Sequence, residues 1–365
     1  MNKRVIIGGG GTGGHIFPAI SIANALRATD KEIDILFVGA LNKIEMEKVP
    51  EAGYKIIGLP VAGFQRKLSI KSLSFFVKLW QSMIRSKKII SDFNPDVAVG
   101  VGGYASGPIL KAAARKNIPV LIQEQNSYAG VTNRILAKSA SKICVAYERM
   151  EKFFPANKII LTGNPVRKDI INLSGDQDSA RNHFGLDPLK QTILVLGGSL
   201  GARTINQALV TSLNKVPDEV QILWQCGKLY YSEMNAALES SGKRNIVLKE
   251  FIREMNFAFD AADVIISRAG AGTISELAIV GKPVILVPSP NVAEDHQTQN
   301  ALSLVNKDAG ILVKDAEARE ILIDRTLSLL RNPEEKKKLS ENLKNMAMPD
   351  SADRIAREIL SLIKK

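Results

Sequence analysis

The chain has 365 residues, of which 45% are hydrophobic and 24% charged; that balance excludes disorder as the main state, and the length allows two domains. Two cysteines, Cys144 and Cys226, make neither a disulfide framework nor a CxxC pair for zinc, and three histidines, His15, His183 and His296, sit in unrelated contexts that argue against a histidine-rich metal centre. The net charge of +12 lies wholly in the first half: up to Pro165 there are 23 basic and 11 acidic residues, and after it 26 of each, so the first half is the part drawn to a phosphorylated substrate, a phospholipid surface or nucleic acid.

Residues 4–7 are β-branched and apolar, residues 16–26 place apolar side chains at helical spacing, and residues 33–38 are a second apolar run. Strand, loop, helix, strand is the opening of a parallel doubly wound sheet. The loop is Gly8-Gly9-Gly10-Gly11-Thr12-Gly13-Gly14-His15. Its six glycines break the uncharged run 5–26, which is therefore read as neither signal peptide nor membrane span, and the chain is expected in the cytoplasm or peripherally on a membrane. The loop fits G-x-G-x-x-G, a phosphate cradle when it follows a strand and opens a helix; a plain tight turn is the alternative. A nicotinamide dinucleotide needs an acid at the end of the second strand for its ribose, and Ala40-Leu41-Asn42 offers none; no GK[ST] supports an ATP-hydrolysing loop. His15 ends the loop at a helix N-terminus, which disfavours imidazolium and suits a neutral base, with a structural histidine as the alternative.

Residues 52–91 contain no Asp or Glu but eight Lys or Arg, including Arg66, Lys67, Lys71 and Lys78, interleaved with Phe64, Phe75, Phe76 and Trp80. A basic amphipathic stretch with aromatics suits an anionic membrane surface; an ordinary core-facing helix is the alternative, and no nucleic-acid module is visible. Strand-like runs follow at 97–101, 119–122 and 142–145. The first two lead into Gly102-Gly103-Tyr104-Ala105-Ser106-Gly107-Pro108 and Gln123-Glu124-Gln125-Asn126, polar groups on the ligand-binding edge of such a sheet.

A hinge is expected near Gly163-Asn164-Pro165-Val166-Arg167, and Asp176 and Asp178, with a D-x-D spacing but no strand beside them, read as a solvated loop rather than a metal site. The opening pattern then repeats. Residues 192–196 run into Gly197-Gly198-Ser199-Leu200-Gly201-Ala202 and a helical stretch, with further strands at 222–225, 247–249, 264–267 and 283–287. Ala271-Gly272-Thr273-Ile274-Ser275-Glu276 opens a helix after the strand at 264–267: small residues let N–H groups meet a diphosphate and Glu276 grips ribose hydroxyls, or Thr273 and Glu276 form a capping box. Asp295-His296-Gln297 adds a polar loop near the same edge.

Together, Gly10-Gly11-Thr12-Gly13-Gly14-His15, Gly102 through Pro108, Glu124-Gln125-Asn126, Gly163 through Arg167, Gly197-Gly198-Ser199 with Gly201-Ala202-Arg203, and residues 271–276 resemble, in order and spacing, the MurG family of bacterial peptidoglycan enzymes, which add N-acetylglucosamine to lipid I. The resemblance spans nearly the whole chain. It implies an α/β fold of the GT-B glycosyltransferase type, with two Rossmann-like parallel-sheet domains: residues 1–165 for acceptor and membrane, residues 166–350 for UDP-N-acetylglucosamine, and a C-terminal helix, 351–365, packed back on the first.

Matched position by position, the family's donor-binding places fall on Thr12, Gly13, Gly14, Asn126, Arg167, Ser199, Ile252, Ala271, Gly272, Thr273, Ile274, Ser275, Glu276 and Gln297, with Glu276 on the ribose. The chain departs from the pattern at Asp295-His296-Gln297, where some members carry a glutamine pair. His15, then Glu124, are the candidates to take the acceptor's proton, and Tyr104, Arg66, Lys67, Lys71, Phe75, Phe76 and Trp80 are expected to meet acceptor or membrane. The implied partners are UDP-N-acetylglucosamine, lipid I, the anionic inner face of the cell membrane and other cell-wall synthesis proteins, without nucleic acid, cofactor or metal. Another GT-B enzyme, a glycolipid synthase or a UDP-N-acetylglucosamine 2-epimerase, is the alternative, and a non-catalytic membrane scaffold a more distant one.

Overall fold

The computed structural model describes residues 2–11, 13–61, 70–198, 200–292 and 295–363. The chain divides into two compact units, residues 1–166 with 349–365, and residues 167–348.

The first unit is built on strands β1 (Arg4–Gly8), β2 (Asp34–Ala40), β3 (Lys55–Leu59), β4 (Val97–Gly100), β5 (Val120–Glu124), β6 (Lys142–Val145) and β7 (Ile159–Leu161). All pair in parallel, in the order β3-β2-β1-β4-β5-β6-β7. The order reverses between β1 and β4, the place where doubly wound sheets open a crevice at their strand C-termini. Side chains alternate across the sheet: Val5 and Ile7 join the core under helix Gly13–Thr29, while Ile6 faces the opposite core with Ile109 and Leu110 of helix Ser106–Arg115. With helices on both faces, every residue of β4 and β5 is buried, which is why these strands read as unbroken apolar runs until the final Gln123 and Glu124.

Helix Ser351–Leu360 belongs to this unit. Ile355, Ala356 and Ile359 are fully buried in the core formed by helix Gly13–Thr29, and Lys142 Nζ pairs with Glu358 Oε2 at 2.5 Å. Burying the two isoleucines contributes on the order of 3–6 kcal/mol, more than the half-exposed ion pair can.

The second unit holds β8 (Gln191–Leu196), β9 (Val220–Gln225), β10 (Ile246–Lys249), β11 (Val264–Ser267), β12 (Val284–Leu286) and β13 (Ile311–Leu312), parallel in the order β10-β9-β8-β11-β12-β13. Its order reverses between β8 and β11. Trp224 of β9 is fully buried and donates Nε1–H to Asn206 Oδ1 at 3.0 Å, while Asn206 Nδ2 donates to Cys226 O, so the polar atoms inside this core are matched.

Three strands escape a reading by apolar runs. Lys55–Leu59 lies inside what reads as one basic amphipathic segment, so residues 52–91 are a strand followed, after residues outside the description, by helix Ile70–Phe93 rather than a single stretch. The other two, Ile159–Leu161 and Ile311–Leu312, are too short to show a period. Asp176, half of the D-x-D pair, caps helix Gln177–His183 by accepting from Ser179 N at 3.0 Å.

Candidate functional site

In the first unit the loops after β1, β4 and β5 meet at the switch point. Glycine is required where they touch: Gly103 has φ +84°, and a Cβ there would fall 2.1 Å from Gly10 O. His15 is the third residue of helix Gly13–Thr29 and half-buried, with Gly14 exposed and Gly13 half-buried beside it. It rests against Gly102, where a Cβ would lie 2.7 Å from His15 Cδ2 and 2.9 Å from Nε2. The imidazole ring thus packs beside the Gly102 backbone at the strand edge.

Glu124 ends β5. It is buried, and its carboxylate accepts from Asn126 N (3.0 Å), Asn126 Nδ2 (3.3 Å), Gly130 N (3.0 Å) and Asn133 Nδ2 (2.8 Å). Both oxygens organise the loop after β5, and Asn126 is held by that same carboxylate. A chain of buried amides lies behind it: Gln125 Nε2 donates to Val101 O and Gln123 Oε1, Gln123 Nε2 to Asn164 Oδ1, and Asn164 Nδ2 to Gln125 O. Tyr104 is 54% exposed on the same edge. Helix Ile70–Phe93 carries Trp80 (66% exposed) with Val77 and Ile84 also exposed, a stripe at i, i+3 and i+7 spacing beside exposed Lys78, Arg85 and Lys88.

In the second unit, helix Ala271–Val280 starts at the C-terminal end of β11 with Gly270 as its N-cap. Gly270, not Thr273, is the N-cap, so the box of Thr273 and Glu276 does not form; Ala271, Gly272 and Thr273 are the first turn, with the positive end of the helix dipole. Ile274 is buried in the core, and Ser275 Oγ donates to Ala271 O. Glu276 instead meets Arg167, Nε to Oε1 at 3.3 Å, with Asp169 3.8 Å from the same guanidinium. Burial raises the Glu276 carboxyl above the ordinary carboxylate value, with the Arg167 charge pulling it back down. Arg268 binds the turn from beneath, donating to Val287 O and to Asp315. At the end of β9, Gln225 Oε1 accepts from Ile252 N (2.8 Å) and its Nε2 donates to Gly198 O (3.2 Å), tying Ile252 to the loop after β8. Gln297 accepts from Ser289 N at 2.8 Å, so it shapes the Pro288-Ser289-Pro290 turn.

The expected residues therefore fall into two edge clusters: Gly13, Gly14, His15, Tyr104, Glu124 and Asn126 in one unit, and Arg167, Ile252, residues 271–276 and Gln297 in the other. Thr12, Ser199, Arg66 and Lys67, and the side chains of Lys71 and Phe76, lie outside the described residues; Phe75 is half-buried. Residues that sequence reasoning passed over are Glu45 and Gln225, and it did not pair Gln123 with Asn164 or Arg268 with Asp315. The only signal for Glu45 was its being the first carboxylate after β2.

These two parallel-sheet units with glycine loops at their switch points match known proteins along the whole chain. The Glycosyltransferase family 28 N-terminal domain matches residues 5–145, and the Glycosyltransferase family 28 C-terminal domain residues 192–355. The chain belongs to glycosyltransferase family 28, and its units are the two Rossmann-like domains of the GT-B fold. A relative from Bacteroides fragilis is 56% identical over 98% of this chain and 95% of its own length; one from Phocaeicola vulgatus is 57% identical over 100% and 97%. Both are named UDP-N-acetylglucosamine–N-acetylmuramyl-(pentapeptide) pyrophosphoryl-undecaprenol N-acetylglucosamine transferase. Acinetobacter baumannii MurG superposes with a TM-score of 0.79 at 27% identity, covering 98% of this chain and 99% of that one. A UDP-GlcNAc 2-epimerase from Neisseria meningitidis, at 16% identity over 99% and 100% of the two chains with a TM-score of 0.68, shares the fold alone.

Proposed function

We propose that this chain transfers N-acetylglucosamine from UDP-N-acetylglucosamine to the 4-hydroxyl of the N-acetylmuramoyl-pentapeptide on undecaprenyl diphosphate, converting lipid I to lipid II in peptidoglycan synthesis. The observation that carries this reading is the 56–57% identity, over nearly full length, to relatives named for that transfer. The reaction is a direct displacement: the 4-hydroxyl oxygen bonds to the anomeric carbon, the bond to UDP breaks, and an α-linked donor gives a β-linked product. The second unit supplies the donor side. Glu276 accepts from ribose hydroxyls, while the first turn of helix Ala271–Val280 and Arg167 face negative charge, including that developing on departing UDP. In the first unit His15 takes the hydroxyl proton, and Gly13 and Gly14 offer backbone N–H groups to phosphate. Glu124, with four hydrogen bonds already accepted, holds Asn126 and the β5 loop in place.

The basic first half works at the inner face of the cell membrane, and the Val77, Trp80 and Ile84 stripe among lysines and arginines supports peripheral attachment. No described helix is long and apolar enough to cross a membrane. Charge reversal at Arg66, Lys67 and Lys71 is expected to lower binding to anionic liposomes; unchanged binding removes this segment from the membrane contact. The activity is tested with sugar-labelled UDP-N-acetylglucosamine and a lipid I analogue: label in a disaccharide-lipid supports the reading, and UDP release without labelled lipid overturns it.

A further inference from the structure

Glu45 is a buried carboxylate with no described cation beside it, placed under the first glycine loop. It is the first residue of helix Glu45–Glu51 and has 0% exposure. Its Oε1 accepts from Gly11 N (2.9 Å) and Ala40 N (2.9 Å), and its Oε2 from Gly11 N (3.0 Å). Leaving a buried carboxylate on a loop is costly unless its oxygens are matched, and here backbone N–H groups match them. The fit is close on every side. A Cβ on Gly10 would fall 2.1 Å from Glu45 Oε1, and one on Gly39 2.6 Å from Glu45 Cγ. Beyond Gly10 the contact passes to Gly103, whose Cβ would strike Gly10 O, and from the neighbouring Gly102 to the His15 ring.

Two consequences follow from this arrangement. The Gly11 N–H points inward at Glu45, so it is spent inside the protein; an anion at this edge must be met by amides further along, at Gly13 and Gly14. The bend at Gly10 and Gly11, with φ of +134° and +94°, is also the point from which helix Gly13–Thr29 departs, so whatever fixes it fixes the direction of His15. We propose that Glu45 is a positioning residue for the transfer reaction: it locks the glycine loop so that His15 faces the acceptor hydroxyl, without itself touching substrate. The proposal rests on the function proposed above and adds to it a residue that the resemblance did not mark.

The test compares wild type with Glu45→Gln, Glu45→Ala and Gly10→Ala, measuring steady-state transfer to a lipid I analogue, UDP-N-acetylglucosamine affinity by calorimetry and thermal unfolding. Glu45→Gln keeps the shape but turns an N–H toward the Gly11 N–H. It is expected to lower kcat/KM for the acceptor about tenfold, with donor affinity within about twofold of wild type, since a shift of an ångström near reacting groups is worth up to about 100-fold. Glu45→Ala and Gly10→Ala break the same contact, and their double variant is expected to be no worse than the poorer single one. Glu45→Gln with wild-type acceptor kinetics, or with donor affinity and unfolding temperature falling in step with activity, overturns the positioning role. Absence of transfer by wild type overturns the function itself, a separate result.

Discussion

The two glycine loops occupy equivalent places, each after the first strand of its sheet and at its switch point, yet they are held by different means. The first is gripped by a carboxylate: Glu45 from below and the Gly103 backbone from the side. The second is gripped by backbone and amide. Gly201 has φ +78°, a Cβ there would lie 2.0 Å from Cys226 O, and Gln225 donates to Gly198 O. In the first loop the carboxylate takes up the Gly11 N–H and stiffens the bend ahead of Gly13, Gly14 and His15, whereas the second is stiffened without a buried charge.

The largest effect that would separate the two edges is at His15. His15→Ala is expected to lower turnover about 100-fold or more while UDP-N-acetylglucosamine affinity, measured by calorimetry, stays close to wild type; equal loss of both would place His15 with the donor instead. Next is Gly201→Ala, which drives a Cβ into a carbonyl at positive φ and is expected to cost about 3 kcal/mol, read as a fall of the second unit's unfolding temperature by about 6–12 °C. An unaltered melting curve would show that the loop can open without cost.

A subtler distinction lies in pH. The Glu276 carboxyl is raised by burial, so it takes up a proton at a pH above the ordinary value of 4.5. Because ribose hydroxyls are accepted best by the ionised form, donor affinity is expected to fall on acidification while ordinary carboxylates are still charged. The stability effect has the opposite sign: the folded chain binds this proton more readily than the unfolded one, so Glu276 costs stability as pH rises from 4.5 through its folded value. Glu276→Gln is expected to weaken donor binding about 10-fold and to flatten that pH dependence in calorimetry; a steep dependence surviving in the variant would assign it to another group. Smallest of all is thiol chemistry. Burial pushes Cys144 up to about 12 and Cys226 to about 11, so native protein is expected to resist alkylation at neutral pH with activity intact, as mass spectrometry would read.

Much of this was legible because buried parallel strands are apolar runs and phosphate loops need glycine: β1, β4, β8 and β11 and the loops behind them stand out in the sequence. What was hidden depends on partners from other elements. Glu45 reads as one acid in a polar helix, because Gly11 and Ala40, its partners, are respectively 34 and 5 positions away with no periodicity to link them. The Thr273 and Glu276 pattern satisfies the capping-box spacing, yet the N-cap is Gly270, and Arg167, 109 positions distant, takes the carboxylate. The short β7 and β13 are held by neighbouring strands rather than by any preference of their own.

The route of the chain also sets an order of synthesis. Residues 167–348 form one compact unit and leave the ribosome as a continuous block, whereas the first unit must wait for Ile355 and Ile359 before its core is covered. The part of helix Gly13–Thr29 that packs on helix Ser351–Leu360 is therefore open throughout translation of the second unit, a window in which a chaperone or a membrane surface can reach it. Limited proteolysis of nascent chains stalled at residue 348 and beyond residue 360 reads this directly: the first unit should be cut in the shorter chain and protected in the longer one.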